Sequence, residues 1–177
     1  MAAGRARIIP HGGALRGAFA GPEGCKAPEG DTAMTVAAIL KHKGHAVSSV
    51  APSTTVDEVA KKLTAQRIGA VLVIDATDQL LGIVSERDIV AGLASDGPAI
   101  LQRTAGDVMT RGLITASPAT TVAEAMGIMT SGRVRHLPVM DSGVLVGLVS
   151  IGDVVKARIT QQEYEVDNLK AYVAGSA

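Results

Sequence analysis

The sequence predicts an α/β (α+β) fold of two related units, because it repeats itself and because each copy combines helix-type with strand-type apolar spacing. The segment 52–58 (Pro-Ser-Thr-Thr-Val-Asp-Glu) recurs as 118–124 (Pro-Ala-Thr-Thr-Val-Ala-Glu). The segment 82–88 (Gly-Ile-Val-Ser-Glu-Arg-Asp) recurs as 147–153 (Gly-Leu-Val-Ser-Ile-Gly-Asp). A repeated unit that cannot bury its own apolar face usually buries it against its twin. We therefore expect one paired module rather than two independent domains.

The helices are predicted from apolar spacing and from caps. A short amphipathic helix is expected first, over 35–43, with Gly44 as its stop. Each copy then opens with a capping box, Thr55 with Glu58 or Thr121 with Glu124, in which the two side chains satisfy free N–H groups at a helix start. The residues that follow keep the spacing of one buried helix face: Val56, Val59 and Leu63 in the first copy, and Val122, Ala125 and Met129 in the second.

Two strands follow each of these helices, at 70–74 and 80–84 and again at 137–140 and 145–149, with short turn sequences between them. A short extended piece precedes each copy, around 48–50 or 114–116, and a final helix begins at Ser85 or Ser150. A tail from about 156 to 172 is also expected to be helical. In chain order we assign 1–33 to a disordered N-terminal extension, 34–103 to unit 1, 104–160 to unit 2 and 161–177 to a helical C-terminal tail.

Residues 1–33 differ from the rest of the chain, since they are rich in Gly, Ala and Arg and hold no acidic residue before Glu23. An organelle transit peptide is one interpretation, although serines are missing and the stretch lacks the apolar block of a secretory signal. We favour a disordered extension, with Met34 as the working start.

Composition excludes several classes of function. Lys plus Arg and Asp plus Glu both number 17, so the chain lacks the general basic character with which proteins bind nucleic acid. One cysteine, Cys25, permits neither an intrachain disulfide nor a thiolate metal cluster, and fits a reducing, cytoplasmic location. Apolar runs such as 70–74 are far shorter than the ~20 residues that span a bilayer. His11, His42 and His45 show no ligand-like spacing, so no metal site is expected.

The repeated motif Gly-apolar-Val-Ser-x-x-Asp, with Pro-x-x-Thr-Val upstream, resembles that of tandem CBS domains (cystathionine-β-synthase domains), also called a Bateman module. The resemblance covers about residues 35–160. It implies two CBS units related by a pseudo-twofold axis and packed sheet to sheet, with two clefts between them. It also implies that these clefts hold adenine nucleotides such as AMP, ADP, ATP, NAD-type dinucleotides or S-adenosylmethionine, with the motif Asp on the ribose hydroxyls.

The residues of the motif themselves suit a nucleotide. A helix that starts at Ser85 leaves N–H groups free for a phosphate, Ser85 can donate to a phosphate oxygen, and Asp88 can accept from two ribose hydroxyls. Ser150 and Asp153 repeat this arrangement. The alternative is a plain helix cap with an acid in the first turn, which needs no ligand. Together with the resemblance, the motif gives these candidate binding residues: Gly69, Ala70, Ile83, Ser85, Arg87, Asp88, Arg135, His136, Leu148, Ser150 and Asp153.

The two copies differ in charge, so we expect unequal clefts. Copy one has Gly69-Ala70 before its first strand and Arg87 inside its motif, whereas copy two has Arg135-His136 and Gly152 at these places. Arg67 and Arg133 occupy matching helix ends, where a cation that offsets the helix C-terminus explains them at least as well as ligand binding does.

These patterns favour a non-catalytic regulatory module, acting as a homodimer, that binds AMP, ATP or NAD(H) and reports energy or redox state to an unidentified protein partner. Two alternatives stay open: a dimerisation scaffold without ligand, and a fragment related to IMP dehydrogenase. The second is disfavoured because the chain has no room for a (β/α)8 barrel of about 250 residues. Its only cysteine, Cys25, lies in the extension.

Overall fold

The computed structural model describes residues 34–174, so the extension predicted over 1–33 lies outside the described residues. This part of the chain forms six α-helices and five β-strands. In chain order they are α1 (Val36–Lys43), β1 (Ser49–Val50), α2 (Val56–Gln66), β2 (Ala70–Ile74), β3 (Leu80–Ser85), α3 (Glu86–Asp96), α4 (Ala105–Val108), α5 (Val122–Gly132), β4 (His136–Asp141), β5 (Val144–Ser150) and α6 (Ile151–Ala174). A 3-10 helix, Gly97–Gln102, precedes α4. The predicted fold class, with helix, strand, strand and helix in each copy, is confirmed.

The predicted capping boxes are present at the starts of α2 and α5. Thr55 Oγ1 accepts from the backbone N–H of Glu58 at 3.3 Å, and a Glu58 carboxylate oxygen accepts from the Thr55 N–H at 3.0 Å. Thr121 and Glu124 repeat this at 3.2 and 2.8 Å. Because each box satisfies two otherwise free donors, local sequence alone is sufficient to place both helix starts.

Each pair of strands forms an antiparallel hairpin whose register places the start of one strand opposite the motif serine. Ala70 lies opposite Ser85 on β2 and β3, and His136 lies opposite Ser150 on β4 and β5. The first hairpin gains a third strand, because β1 pairs in parallel with β2. In the second sheet, a single parallel bridge between Ala116 and Val139 takes the place of this third strand.

The segments that precede the two units are exchanged between them. Sequence order assigns α1 to unit 1 and residues 104–109 to unit 2, but the structure packs each with the other core. Val36, Ile39 and Leu40 of α1 are buried in the core of the second unit. Conversely, Ala105 and Met109 are buried in the core of the first. Apolar spacing shows which face of a helix is buried but not which core covers it, so this exchange was not predicted.

Backbone hydrogen bonds hold the exchanged segments in place. The Val36 N–H donates to the Thr120 carbonyl at 2.8 Å, and the Ala105 N–H donates to the Thr54 carbonyl at 2.7 Å. Each preceding segment thus docks beside the capping box of the other repeat. Separating the two units would therefore expose the buried residues that each exchanged segment contributes to the other core.

The glycine that opens each copy of the motif makes room for the exchanged segment. A Cβ on Gly147 would lie 2.6 Å from Leu40 Cδ2, and one on Gly82 would lie 2.7 Å from Met109 Sδ. At Gly82 a Cβ would also lie 2.8 Å from the backbone carbonyl oxygen of Thr110, so a larger residue there would have to move the backbone of the exchanged segment. At Gly147 a larger residue would have to move the Leu40 side chain.

The C-terminal tail is not a separate element, because α6 runs without interruption from Ile151 to Ala174. Its first turns pack in the second core through the fully buried Val154. Between residues 34 and 174, no helix combines the length and the apolar character that crossing a bilayer requires.

Candidate functional site

Two clefts lie where the units meet, each with a volume of about 360 Å³. The first cleft is lined by Gly69, Ile83, Ser85, Glu86, Arg87, Asp88, Val90, Thr110, Arg133, Val134, Arg135 and His136. The second cleft is lined by Lys43, Ala46, Val47, Ser48, Arg67, Ile68, Gly69, Ala70, His136, Leu148, Ser150, Ile151 and Gly152. Each cleft therefore combines the motif of one repeat with the helix end and first strand residues of the other. This size falls at the lower end of the range for small-molecule pockets.

The motif serine and aspartate form the same hydrogen-bonded pair in both copies. In the first cleft the backbone N–H and the hydroxyl of Ser85 both donate to Asp88 Oδ2, at 2.7 and 2.6 Å. Ser150 and Asp153 repeat these bonds at 2.8 and 2.7 Å. The cap predicted as the alternative is thus formed in both copies, and the Ser85 hydroxyl donates to Asp88 rather than into the cleft. A carboxylate can accept about four hydrogen bonds, so Asp88 Oδ1 keeps capacity for a ligand.

The two motif aspartates differ in their charged partners. Asp153 Oδ2 lies 2.5 Å from Lys43 Nζ, and the same ammonium group donates to the Leu148 carbonyl at 3.3 Å. Burial by itself would raise the pKa of Asp153, but the hydrogen bonds from Lys43 and Ser150 outweigh it, and the pKa lies below its ordinary value. Within the described residues 34–174, Asp88 forms no ion pair with a lysine or arginine.

Lys43 reaches Asp153 because α1 is longer than its counterpart α4. Leu40 and Met109 occupy matching places against Gly147 and Gly82. After Met109 the chain leaves the helix, and Thr110 pairs with Ile83 through two backbone hydrogen bonds of 2.9 and 3.1 Å. After Leu40 the helix continues to Lys43, whose side chain covers the corresponding edge of the second hairpin. Sequence reasoning missed Lys43, since a lysine in a last helical turn is commonplace.

His136 lines both clefts and packs on a glycine. A Cβ on Gly69 would lie 3.2 Å from His136 Cε1, so the bare backbone of Gly69 lets the imidazole approach closely. Burial lowers the pKa of His136, and the neighbouring Lys43 adds to this, while Glu86 and Asp153 oppose it. The lowered pKa favours the neutral imidazole.

Arginines gather around the first cleft from both units. Arg87 of α3 donates from Nη1 to the carbonyl of Arg133 at 3.1 Å, and this bond joins the units across the cleft. Arg133 and Arg67 each end a helix in the left-handed conformation, with φ of 51° and 53°. That conformation costs a non-glycine residue about 1–2 kcal/mol. Arg133 faces the first cleft and Arg67 the second, so each helix end contributes its arginine to a cleft.

The predicted site residues divide between the clefts in a way that chain order does not show. Gly69, Ile83, Ser85, Arg87, Asp88, Arg135 and His136 line the first cleft. Gly69, Ala70, His136, Leu148 and Ser150 line the second, with Asp153 beside it through its ion pair with Lys43. Arg135 comes from the second repeat but lies with the motif of the first. The residues that sequence reasoning missed include Glu86, Val90, Thr110 and Val134 in the first cleft, and Lys43 together with Ala46, Val47, Ser48, Ile68 and Ile151 in the second.

The family profile and the related sequences both identify the same protein family. The CBS domain family profile matches residues 44–95 and 105–160. A CBS domain-containing protein of Arabidopsis thaliana, the mitochondrial CBSX3, is 34% identical over 149 residues, covering 80% of this chain and 72% of the relative.

Solved structures share the fold. The crystal structure of a CBS-domain-containing protein from Agrobacterium tumefaciens is 44% identical, with a TM-score of 0.70 over 71% of this chain and 94% of that one. A CBS domain protein from Pyrobaculum aerophilum, solved in complex with AMP, is 27% identical, with a TM-score of 0.60 over 68% and 89%. The CBS domain pair of protein MJ0100, solved with 5′-methylthioadenosine and S-adenosylmethionine, is 26% identical, with a TM-score of 0.62 over 70% and 94%.

Proposed function

We propose that this chain, which belongs to the CBS-domain family, is a regulatory module that binds an adenine nucleotide in its first cleft and has no reaction of its own. The observation that carries this proposal is the difference between the two motif aspartates. Asp88 has no cationic partner within the described residues, whereas Asp153 is held by Lys43. A ribose meets Asp88 as a carboxylate without a cationic partner, whereas in the second cleft the ammonium group of Lys43 already neutralises the Asp153 carboxylate and competes with the ribose for it.

The first cleft offers a suitable partner to each part of a nucleotide. Asp88 accepts from the ribose hydroxyls, and the side chains of Ile83, Val90 and Val134 provide apolar contact for the base. Three arginines, Arg87, Arg133 and Arg135, line the same cleft and supply positive charge for phosphate.

We infer the class of ligand from the positive charge of the first cleft and from the ligands bound in related structures. AMP is the ligand of the Pyrobaculum structure, and the MJ0100 pair was solved in complex with two adenosine-containing ligands. We propose AMP as the first ligand to test, with ATP and NAD(H) as the longer phosphate-bearing candidates. Glu86 also lines the cleft, and it disfavours added negative charge nearby.

Signalling would follow from the position of the ligand between units. The Arg87–Arg133 hydrogen bond crosses the cleft, so a phosphate that recruits Arg87 changes a contact between the two units. A ligand shifts such an equilibrium only through its different affinity for the two arrangements. We propose that a homodimer of this module presents the change to a regulated protein in the cytoplasm. The Arabidopsis relative, by contrast, is mitochondrial by name.

Calorimetric titration of the purified protein with AMP, ATP, NAD⁺ and NADH tests the proposal. We expect heat of binding with AMP at one site per chain. NMR shift changes at Asp88 and Arg135 should accompany it. Absence of binding to all four ligands at millimolar concentration would overturn the proposal and leave a ligand-free scaffold as the function.

A further inference from the structure

His136 is the side chain that the two clefts share. Among the described residues that line the clefts, Gly69 and His136 line both, and glycine has no side chain. His136 lies opposite the motif serine of the second repeat, and Ala70 occupies this place in the first. A single ionisable ring, present in one repeat and not in the other, therefore borders both clefts.

The imidazole lies between the two units. It packs on the backbone of Gly69, which directly precedes β2 of the first unit. Nε2 of His136 and Oε2 of Glu86 lie 3.3 and 3.6 Å from the position that a Gly69 Cβ would take. Its own strand places His136 opposite Ser150, whose N–H and hydroxyl donate to Asp153. A change of charge on the ring thus acts on acidic groups of both units.

Charged groups from three helices act on this ring. Burial has the largest effect on the pKa of His136 and lowers it. Lys43 of α1 lowers this pKa further, whereas Glu86 of α3 and Asp153 of α6 raise it, and the adjacent Arg135 also lowers it. Because opposite charges compete here, the proton of the ring responds to any charge that a ligand adds. The remaining charged residues that line the clefts are Arg67, Arg87, Asp88 and Arg133.

We propose that His136 links the two clefts through its proton. In its protonated form, His136 favours a phosphate in the first cleft and weakens the hold of Lys43 on Asp153 in the second. This regulation rests on the proposed nucleotide function, since the phosphate of AMP supplies the charge in the first cleft. The link makes the module respond to pH as well as to nucleotide.

The first half of the link is proton uptake on binding. The arginines of the first cleft include Arg135, which is adjacent to His136 in the chain, so a phosphate bound among them adds negative charge near the ring. That charge raises the affinity of the imidazole for a proton. By linkage, the proton raises the affinity of the cleft for the phosphate by the same factor.

The second half of the link concerns the ion pair in the second cleft. The side chains of Lys43 and Asp153 are 39% and 23% exposed, so their charged groups can separate into water. An imidazolium repels the ammonium group of Lys43 and attracts the carboxylate of Asp153. Protonation of His136 therefore weakens this ion pair and makes the second motif aspartate more available.

Calorimetry of the full chain with AMP, in buffers of different ionisation heat such as PIPES and Tris, tests the first half. At pH 7 the difference in heat between the buffers should report uptake of a fraction of one proton per AMP. The affinity for AMP should rise roughly threefold from pH 7.5 to 6.5. Adenosine, which lacks the phosphate, should bind with no proton uptake and no such rise.

Two histidine variants show which group takes up the proton. The phosphate of AMP itself titrates at about pH 6, so His136→Gln, with its fold checked by circular dichroism, measures what the phosphate contributes. Uptake should be lost in His136→Gln and retained in the exposed His42→Gln. Uptake that persists in His136→Gln, or AMP binding without uptake in the wild type, overturns the link but not nucleotide binding. Absence of AMP binding overturns both proposals.

An NMR titration of the His136 ring tests the second half without a ligand and without changing His136. Its pKa should shift upward in Lys43→Met, because a nearby cation is removed. Lys41→Met, which removes an exposed lysine of the same helix, should leave the pKa unchanged. In the wild type, addition of AMP should raise the same pKa. An imidazole that titrates identically in the wild type and in Lys43→Met overturns the link to the second cleft.

Discussion

The two clefts are built from the same repeat, yet only the second has a lysine on its motif aspartate. The cause lies outside the motif, in the length of the segment that each unit receives from elsewhere in the chain. α1 has eight residues and reaches Asp153 through Lys43, whereas α4 has four and ends before it could reach Asp88. Duplicated motifs thus need not have the same surroundings, because a segment from outside the repeat decides which motif aspartate is held in an ion pair.

The largest expected effect is on AMP affinity, when each of the two motif aspartates is replaced in turn. Asp88→Ala should lower the affinity for AMP by roughly 10- to 100-fold, since a hydrogen bond to a charged group contributes about 1.5–3 kcal/mol. Asp153→Ala should leave that affinity within about twofold. Calorimetry on both variants measures the difference. Equal losses in the two variants would show that the clefts act alike.

Removing the lysine should make the second cleft resemble the first. Lys43→Met frees Asp153, so the number of AMP molecules bound per chain should rise from one towards two in calorimetry. The pKa of Asp153 should rise at the same time, because burial remains while its main hydrogen-bond donor is lost. The loss of stability should be at most about 1 kcal/mol, given that Lys43 is 39% exposed.

Lys41→Met is the matched control, since it removes an exposed lysine of the same helix. It should change neither stoichiometry nor stability. If Lys43→Met still binds one AMP, another feature of the second cleft excludes the ligand.

A smaller effect is expected at Arg67 and Arg133, the two arginines whose backbone is in the left-handed conformation. Glycine adopts this conformation without strain, so both Arg133→Gly and Arg67→Gly should raise the free energy of unfolding by about 1 kcal/mol. Only Arg133→Gly should weaken AMP binding, by several fold, because its side chain lines the first cleft. Chemical denaturation and calorimetry on the pair measure both quantities. Equal effects on affinity would contradict the assignment of Arg133 to the ligand.

The smallest effect concerns His136, which both clefts share. Its pKa in the folded protein lies below the ordinary value of 6.5, so the unfolded chain binds the proton more readily. Stability should therefore decrease as the pH falls through 6.5, by at most about 1.4 kcal/mol per pH unit. The groups that act on the ring are Lys43 and Arg135, which lower the pKa, and Glu86 and Asp153, which raise it.

Urea unfolding between about pH 7.5 and 5.5 checks this prediction. His136→Gln should remove much of the decrease, and the exposed His42→Gln should retain it. An AMP phosphate bound in the first cleft adds negative charge near His136, so the ligand should also raise the pKa of this imidazole. A slope that persists in His136→Gln would point to a different titrating group.

Local features of this protein were predictable because their causes lie within a few residues of one another. The capping boxes at Thr55 and Thr121 fixed two helix starts, and the short turns fixed the two hairpins. The pairing of Ser85 with Asp88 spans three residues, so both interpretations of the motif could be stated in advance. The expectation of unequal clefts also came from the sequence, which contrasts Arg87 with Gly152 and Gly69-Ala70 with Arg135-His136. That expectation did not include Lys43.

What the sequence determined by itself was the number of units, their internal order and the candidate residues, since repetition, apolar period and capping act over short distances. Only the tertiary structure decided which residues meet. It joined Arg87 to Arg133 across 46 residues and Lys43 to Asp153 across 110. Such contacts depend on which core buries α1 and on where a helix stops relative to the opposite unit. Neither property produces a periodic pattern in the sequence, because both depend on how well the surfaces of the two folded units fit together.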